Sequence, residues 1–417
     1  MNTVQWEREP LGAVADLCLG KMLDQNKNRG ELFPYLANVN VRWGEFSLGD
    51  LRAMRFEPKE MDRYGLKFGD IVMCEGGEPG RCAIWKNQIP GMMIQKALHR
   101  IRPNKLLDNR FLFYSFLSIG QSKGFDRYFT GSTIKHLPLE KLAKVEIDIP
   151  PIPVQQRIAG ILSAYDELIE NNQRRIRILE DMARSLYREW FVHFRYPGHE
   201  SVPLVDSPLG QIPQGWVIKR IGDIAATFRG RSYRSVDLAD EGGIPFLNLK
   251  CLDRDGGFRR SGLKRYIGDF KEVHLARKGD IVMAVTDMTQ ERRIVARAAL
   301  VPSLDSEFGV FSMDLVRIEP KGEMPKSFLY SFFRYSSFAD EVKQHANGAN
   351  VLHLSPERIT DFRFSVPPVD LMGRFIRFVA PSLEQMDVLQ NQTANLRRTR
   401  DLLLSRLLSG QINFQGE

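Results

Sequence analysis

A chain of 417 residues is longer than one hydrophobic core usually supports, so two or more domains are expected. Its apolar fraction of 43% and charged fraction of 26% are those of an ordinary globular protein, which excludes a disordered or low-complexity chain, and a net charge of +8 suits a polyanionic partner. No apolar run is long enough to span a bilayer, the first residues lack the pattern of an export signal, and Cys18, Cys74, Cys82 and Cys251 fall in no metal-ligand spacing; free thiols in a reducing cytoplasm are expected.

Residues 1–150 read as a mixed α/β domain. Asp70–Met73, Ala83–Trp85 and Val145–Ile149 are predicted strands, Phe111–Ile119 is a buried helix, and Glu75-Gly76-Gly77-Glu78-Pro79-Gly80 is a turn. Residues 151–195 then hold one long helix over 154–191. Ile158, Ile161, Leu162, Tyr165, Leu168, Ile169, Ile176, Leu179, Met182, Leu186 and Trp190 recur in steps of three and four, one apolar stripe. Pro150, Pro151 and Pro153 precede it, as Pro does at helix entrances, and it would reach roughly 55 Å. Residues 196–213, rich in Pro and Gly, read as a linker within a second segment, 196–366. Its strands are Asp280–Val285, Ile294–Ala299 and Phe362–Val366, its buried helix is Ser327–Tyr335, and Asp255-Gly256-Gly257 is a turn. Residues 367–417 form a second long helix, with a kink or short break expected at Pro381.

The two halves are copies. Trp6, Leu11, Gly12, Ala15, Gly20 and Lys21 recur as Trp216, Ile221, Gly222, Ala225, Gly230 and Arg231. Gly69-Asp70-Ile71-Val72-Met73 returns unchanged as Gly279-Asp280-Ile281-Val282-Met283. Gly131-Ser132-Thr133-Ile134 matches Gly348-Ala349-Asn350-Val351. Ile158, Leu162, Ile169, Leu179, Leu186 and Trp190 superpose on Phe375, Val379, Met386, Leu396, Leu403 and Leu407. The chain is a tandem duplication of a globular domain followed by a long helix, and the matching stripes predict that the helices pack as a coiled coil. Residues 74–109 and 284–325 align poorly between well-aligned flanks, as expected of divergent loops on a shared scaffold.

No catalytic constellation is present. A GxxxxGK[ST] phosphate loop is missing, the Pro pairs lack the flanks of a methyltransferase motif, and the seven His form no metal pattern. What remains is a binding inventory. Residues 154–195 carry seven Arg against six acids and 369–417 six against five, so the positive surplus sits on the globular segments, where phosphates would be met. Near predicted turns stand Lys21, Lys27, Arg29, Arg81 and Lys135, with Thr133 in the repeated Gly-Ser-Thr-Ile turn. In the second domain Arg229, Arg231, Arg234, Arg254, Arg259, Arg260, Arg292 and Arg293 play that part. Gln95-Lys96 and the run Thr286-Asp287-Met288-Thr289-Gln290 lie in the divergent polar stretches where base reading is expected, since Arg holds guanine while Asn and Gln read adenine edges.

These features together resemble the DNA-specificity subunit of type I restriction–modification systems. Leu179-Glu180-Asp181-Met182-Ala183-Arg184-Ser185-Leu186, then Glu189-Trp190-Phe191-Val192 and Phe194, is similar to the end of that family's central helix. Ile149-Pro150-Pro151-Ile152-Pro153 with Gln155-Gln156, and Gly131-Ser132-Thr133-Ile134 before it, resemble its domain-to-helix junction. The resemblance covers essentially the whole chain. It departs at Pro381 and at Val369-Asp370-Leu371, which stands where the first copy has Pro153-Val154-Gln155. The resemblance implies two α/β (α+β) target-recognition domains separated by two antiparallel helices, each domain reading half of a split site on double-stranded DNA. It implies docked methyltransferase subunits, two of them, and a separate restriction and translocase subunit. S-adenosylmethionine, Mg2+ and ATP would belong to those partners, with no cofactor, metal or enzymatic activity in this chain and no membrane. A nonspecific DNA-binding scaffold and a protein–protein adaptor are the alternatives from the residues alone.

Overall fold

The structure is a computed structural model and describes residues 6–24 and 28–412. The chain divides into two compact units, one of residues 1–170 with 394–417 and one of residues 171–393.

In the first unit the strands are β1 (Glu7–Pro10), β2 (Ala15–Leu19), β3 (Glu31–Leu36), β4 (Arg52–Phe56), β5 (Ile71–Cys74), β6 (Cys82–Ile84), β7 (Met93–Ile94), β8 (Leu98–Pro103) and β9 (Glu146–Ile149). Its longer helices are α1 (Asn109–Gln121) and the start of α2 (Ile152–Tyr187). An antiparallel sheet of order β2-β8-β5-β6 is the centre, beside a smaller sheet of order β4-β3-β7 in which β3 and β7 are parallel. Successive strand side chains face opposite ways. Ile71 and Met73 therefore meet Phe111, Leu112 and Phe116 of α1, while Val72 and Cys74 meet Leu36, Trp85 and Ile94. A strand covered on both faces has no polar position, which is why Ile-Val-Met-Cys is unbroken. Gly69 ahead of it has φ +90°, the left-handed region that favours glycine, and Asp70 accepts the Lys67 amide at 2.7 Å and a two-pronged pair of bonds from Arg102 at 2.7 Å each.

The second unit repeats this plan. Its strands are β10 (Leu204–Ser207), β11 (Gly210–Pro213), β12 (Val217–Arg220), β13 (Ala225–Arg229), β14 (Leu238–Ala239), β15 (Ile244–Leu247), β16 (Lys264–Tyr266), β17 (Leu275–Arg277), β18 (Ile281–Ala284), β19 (Thr286–Asp287), β20 (Ala298–Leu300), β21 (Phe308–Phe311), β22 (Leu315–Pro320), β23 (Leu352–His353) and β24 (Arg363–Val366). The longer helices are α3 (Lys326–Tyr335) and the start of α4 (Val369–Leu408). The sheet β13-β22-β18-β20 corresponds strand for strand to β2-β8-β5-β6. Ile281 and Met283 face α3, Val282 and Ala284 face the other way, and β15 runs parallel to β21 as β3 does to β7.

Each unit is closed by the start of one long helix and the end of the other. In the first, Ile158 and Leu162 share a core with Leu404 and Leu407, and Asp166 accepts from Arg400 at 2.5 Å and from the Tyr114 hydroxyl at 2.6 Å. In the second, Phe375 packs on Trp190 and on Phe191, ring centroids 6.1 and 4.9 Å apart. Within each unit, then, the paired helix segments run in opposite chain directions. Buried Gln155 seats the first helix, donating to Leu106 and Pro150 carbonyls at 3.0 and 2.8 Å and accepting the Asp108 amide at 2.8 Å. Leu371 and Met372, both buried, seat the second helix by apolar packing in the second unit's core.

Several expectations change. Leu168 and Met182 are exposed, and Leu179, Leu186, Met386, Leu396 and Leu403 are half-buried, so the buried seam is narrower than the apolar stripe and includes Asn172, Leu389 and Thr393. Helix α4 runs unbroken through Pro381. Residues 196–213 are no simple linker: β10 and β11 form a hairpin, and Tyr196 stacks on Trp216 in the core. The strand expected at Ile294–Ala299 begins only at Ala298, because Arg292 and Ala296 adopt positive φ and hold the chain in a loop.

Candidate nucleic-acid interface

The antiparallel registers place the C-terminal ends of β2 and β5 and the N-terminal ends of β6 and β8 at one end of the first sheet. The loops there are tied in sequence. The Lys96 amide donates to Lys21 at 2.8 Å, the Glu75 amide to Ala97 at 2.8 Å, and the Leu137 amide to Glu75 at 2.8 Å. A turn closed by mutual Thr130–His136 backbone bonds of 2.8 and 2.9 Å presents exposed Thr133, Ile134 and Lys135. Lys21, Arg81, Gln95, Lys96, Thr133 and Lys135 thus meet at one edge, although the sequence scatters them over more than a hundred positions. Arg29 lies at the far end of β3 from this edge, since the Gln95 amide bonds to Leu36 at the other end. Lys27 lies outside the described residues.

The loop residues divide into those turned inward and those left facing solvent. Lys21 is only 4% exposed; its ammonium donates to Glu60 at 2.6 Å and to the Arg55 carbonyl at 3.0 Å. Burial pushes the Glu60 carboxyl up, but the Glu57 amide and Lys21 outweigh it and hold it below the ordinary carboxylate value. Arg81 pairs with Glu78 and donates to the Asn38 carbonyl at 3.0 Å. Lys135 is exposed, 3.6 Å from Asp126 and over the Phe129 ring. Lys21 and Arg81 shape the loops, whereas Thr133 and Lys135 face outward.

The same edge of the second sheet is furnished differently. Buried Asp287, at the end of β19, accepts the Thr289 amide and hydroxyl at 2.9 Å each, the Ile294 amide at 2.8 Å and the Val295 amide at 3.4 Å. Burial pushes its carboxyl up; the amide and hydroxyl donors outweigh that and lower it. The loop it clasps exposes Met288, Thr289, Gln290 and Arg293. Gln290 donates to the Ala349 carbonyl at 3.0 Å and Arg292 to Gln344 at 3.1 Å, joining the loop to the turn closed by Asn347 and His353. Arg231 lies alongside, its amide bonded to Phe311 at 2.8 Å, with Arg229 and Arg234 exposed nearby. Arg254 and Arg259 flank Gly257, whose amide bonds to Ala298 at the start of β20. Arg260 donates to Asp387 of α4 at 2.7 Å and so braces the domain.

Sequence reasoning missed Asp287 as the clasp, and Asn38, Gln344 and Asn347 as partners of the loops. An Asp closing an apolar core strand ahead of a Thr and a polar run was the available signal. Among the described residues no group of His, Cys, Asp and Glu could hold a metal ion, the four cysteines are buried and unbridged, and no helix is long and apolar enough to cross a membrane.

Residues 3–181 and 213–371 match the family model described as the type I restriction modification DNA specificity domain. The chain is 26% identical over 386 residues to the MjaIX specificity subunit of a type I restriction enzyme from Methanocaldococcus jannaschii, covering 90% of this chain and 85% of the relative. It is 21% identical over 470 residues to the HindI specificity subunit from Haemophilus influenzae, covering 93% and 98%. The solved S subunit of a type I restriction–modification system from M. genitalium matches with a TM-score of 0.59 at 17% identity, over 98% of this chain and 97% of that one, and so shares the fold. With the family's domain present twice, over the two sheet-and-loop domains described above, the chain belongs to the type I restriction–modification DNA specificity family.

Proposed function

We propose that this chain is the non-catalytic subunit that chooses the DNA sequence for a type I restriction–modification complex, each domain reading one half of a bipartite site on duplex DNA. The observation that carries this is the doubled sheet with two differently furnished loop ends. One scaffold offers Gln95, Lys96, Thr133 and Lys135; its copy offers Arg229, Arg231, Thr289, Gln290 and Arg293. Basic side chains on such loops hold phosphates while Arg, Gln and Asn read base edges, so two loop sets select two half-sites. The reading elements are the loops around 75–81, 94–97 and 130–136, and around 286–297, 312–314 and 347–353. Residues 74–109 and 284–325, expected with their flanking loops to do this, hold four of these six loops, set between core strands.

The long helices would act as the spacer that sets the unread gap and would dock two methyltransferase subunits. S-adenosylmethionine, Mg2+ and ATP would be held by partner subunits that methylate, translocate and cut. The test is methylation-sensitive sequencing of the genome of a host expressing the chain with its cognate methyltransferase. A split, asymmetric adenine motif is the expected outcome. Binding of purified chain to random and genomic duplexes with equal affinity at every salt concentration would identify a nonspecific scaffold instead.

A further inference from the structure

His99 is fully buried in β8, in register with Leu19 on one side and Met73 on the other. Its place in the second domain, opposite Met283, is taken by Val316. A buried imidazole where the copy keeps a valine is costly unless its polar atoms are used. One is: Nε2 lies 2.8 Å from the Leu137 carbonyl. Leu137 follows His136, the residue that closes the exposed 130–136 turn, and its own amide is bonded to Glu75. The other ring nitrogen, Nδ1, is buried without a hydrogen-bond partner. The ring is therefore the neutral tautomer with its proton on Nε2, donating to Leu137, and burial lowers its pKa in the same sense. The second domain holds its equivalent turn from the loop tip, through Gln290 and Arg292. In the first domain the corresponding loop bends at Gly76 and Gly77, which have no side chain to reach across.

We propose that His99 is a positioning residue for sequence recognition by the first domain, clamping the base of the 130–136 turn from inside the sheet so that Thr133 and Lys135 are presented in one orientation. It touches no DNA. This rests on the half-site reading given above. The prediction is that the first half-site depends on a residue buried beneath the reading surface, and the second half-site does not.

The test uses the full chain co-expressed with its methyltransferase, in His99→Val, His99→Asn and His99→Gln forms. Val copies the second domain; Asn stays polar but cannot reach Leu137; Gln can place its amide nitrogen near Nε2. Amide hydrogen exchange on the purified complex should rise about fivefold or more at Thr130, His136 and Leu137 in the Val and Asn forms, the worth of one net hydrogen bond. Amides 347–354 should not change, and Gln should restore the wild-type rate. The host methylome should lose stringency in one half of the motif only, with Val and Asn but not with Gln. Unchanged exchange at 130–137 in both Val and Asn forms overturns the clamp. Faster exchange with an unchanged motif, or with both halves altered, overturns the role in specificity. A wild-type chain giving no bipartite motif would instead sink the half-site reading, while the exchange data would still judge the clamp.

Discussion

Lys21 and Asp287 both belong to the loop ends, and both work inward. Replacing Lys21 by Met would leave Glu60 half-desolvated without its cation. A loss of about 2–4 kcal/mol in stability of the first unit is expected, measurable by denaturant titration without any DNA. Asp287 adds a pH signature. Its carboxyl is held below the ordinary Asp value in the folded chain, so its stabilisation is complete above the unfolded-state pKa of about 3.9 and fades as pH falls through the depressed value. Asp287→Asn should therefore melt lower at neutral pH and show a flatter stability curve below about pH 4, with faster amide exchange at 289, 294 and 295. Composition alone could place Lys21 and Gln290 on loops. It could not show that their polar groups are taken by Glu60 and by the carbonyl of Ala349, because those partners lie 39 and 59 residues away.

Secondary elements were legible where a periodic signal had no competitor. The Ile-Val-Met runs, α1 and α3, and both long helices stand where the pattern puts them. Ile294–Ala299 misled because loop residues Val295 and Ala296 are as buried as a strand would be, with Asp287 supplying the hydrogen bonds a neighbouring strand would give. Residues 196–213 misled because Tyr196 and Ile212 are too few to signal a core by period. The Gly before each core strand gives a graded prediction. A Cβ at Gly69 would approach the Asn109 side-chain amide to 2.5 Å, while one at Gly279 meets nothing within 4 Å. Both Gly→Ala changes cost about 1–2 kcal/mol for the left-handed backbone, and Gly69→Ala should cost more, read from the melting of each variant. Pro381→Ala should raise the melting temperature, since a proline inside a helix costs about 3 kcal/mol.

At the scale of the whole molecule, the duplication was fully readable because its blocks keep nearly constant spacing over the entire length. If the helices are the spacer, inserting seven residues into each, after Glu170 and after Thr393, should widen the unread gap by roughly 10 Å, about three base pairs. An unchanged gap in the methylome would count against the spacer.

The first unit borrows Leu404 and Leu407 from the far end of the chain, which imposes an order on synthesis. A ribosome adding roughly 5–20 residues each second needs on the order of ten to fifty seconds between making Leu162 and making Leu404. Throughout that interval the nascent first domain holds an open apolar groove, in need of a chaperone or a partner subunit to cover it. Ending translation after Thr393 should leave it open permanently, so that this shortened chain aggregates or binds a hydrophobic dye while the second unit keeps its own melting transition.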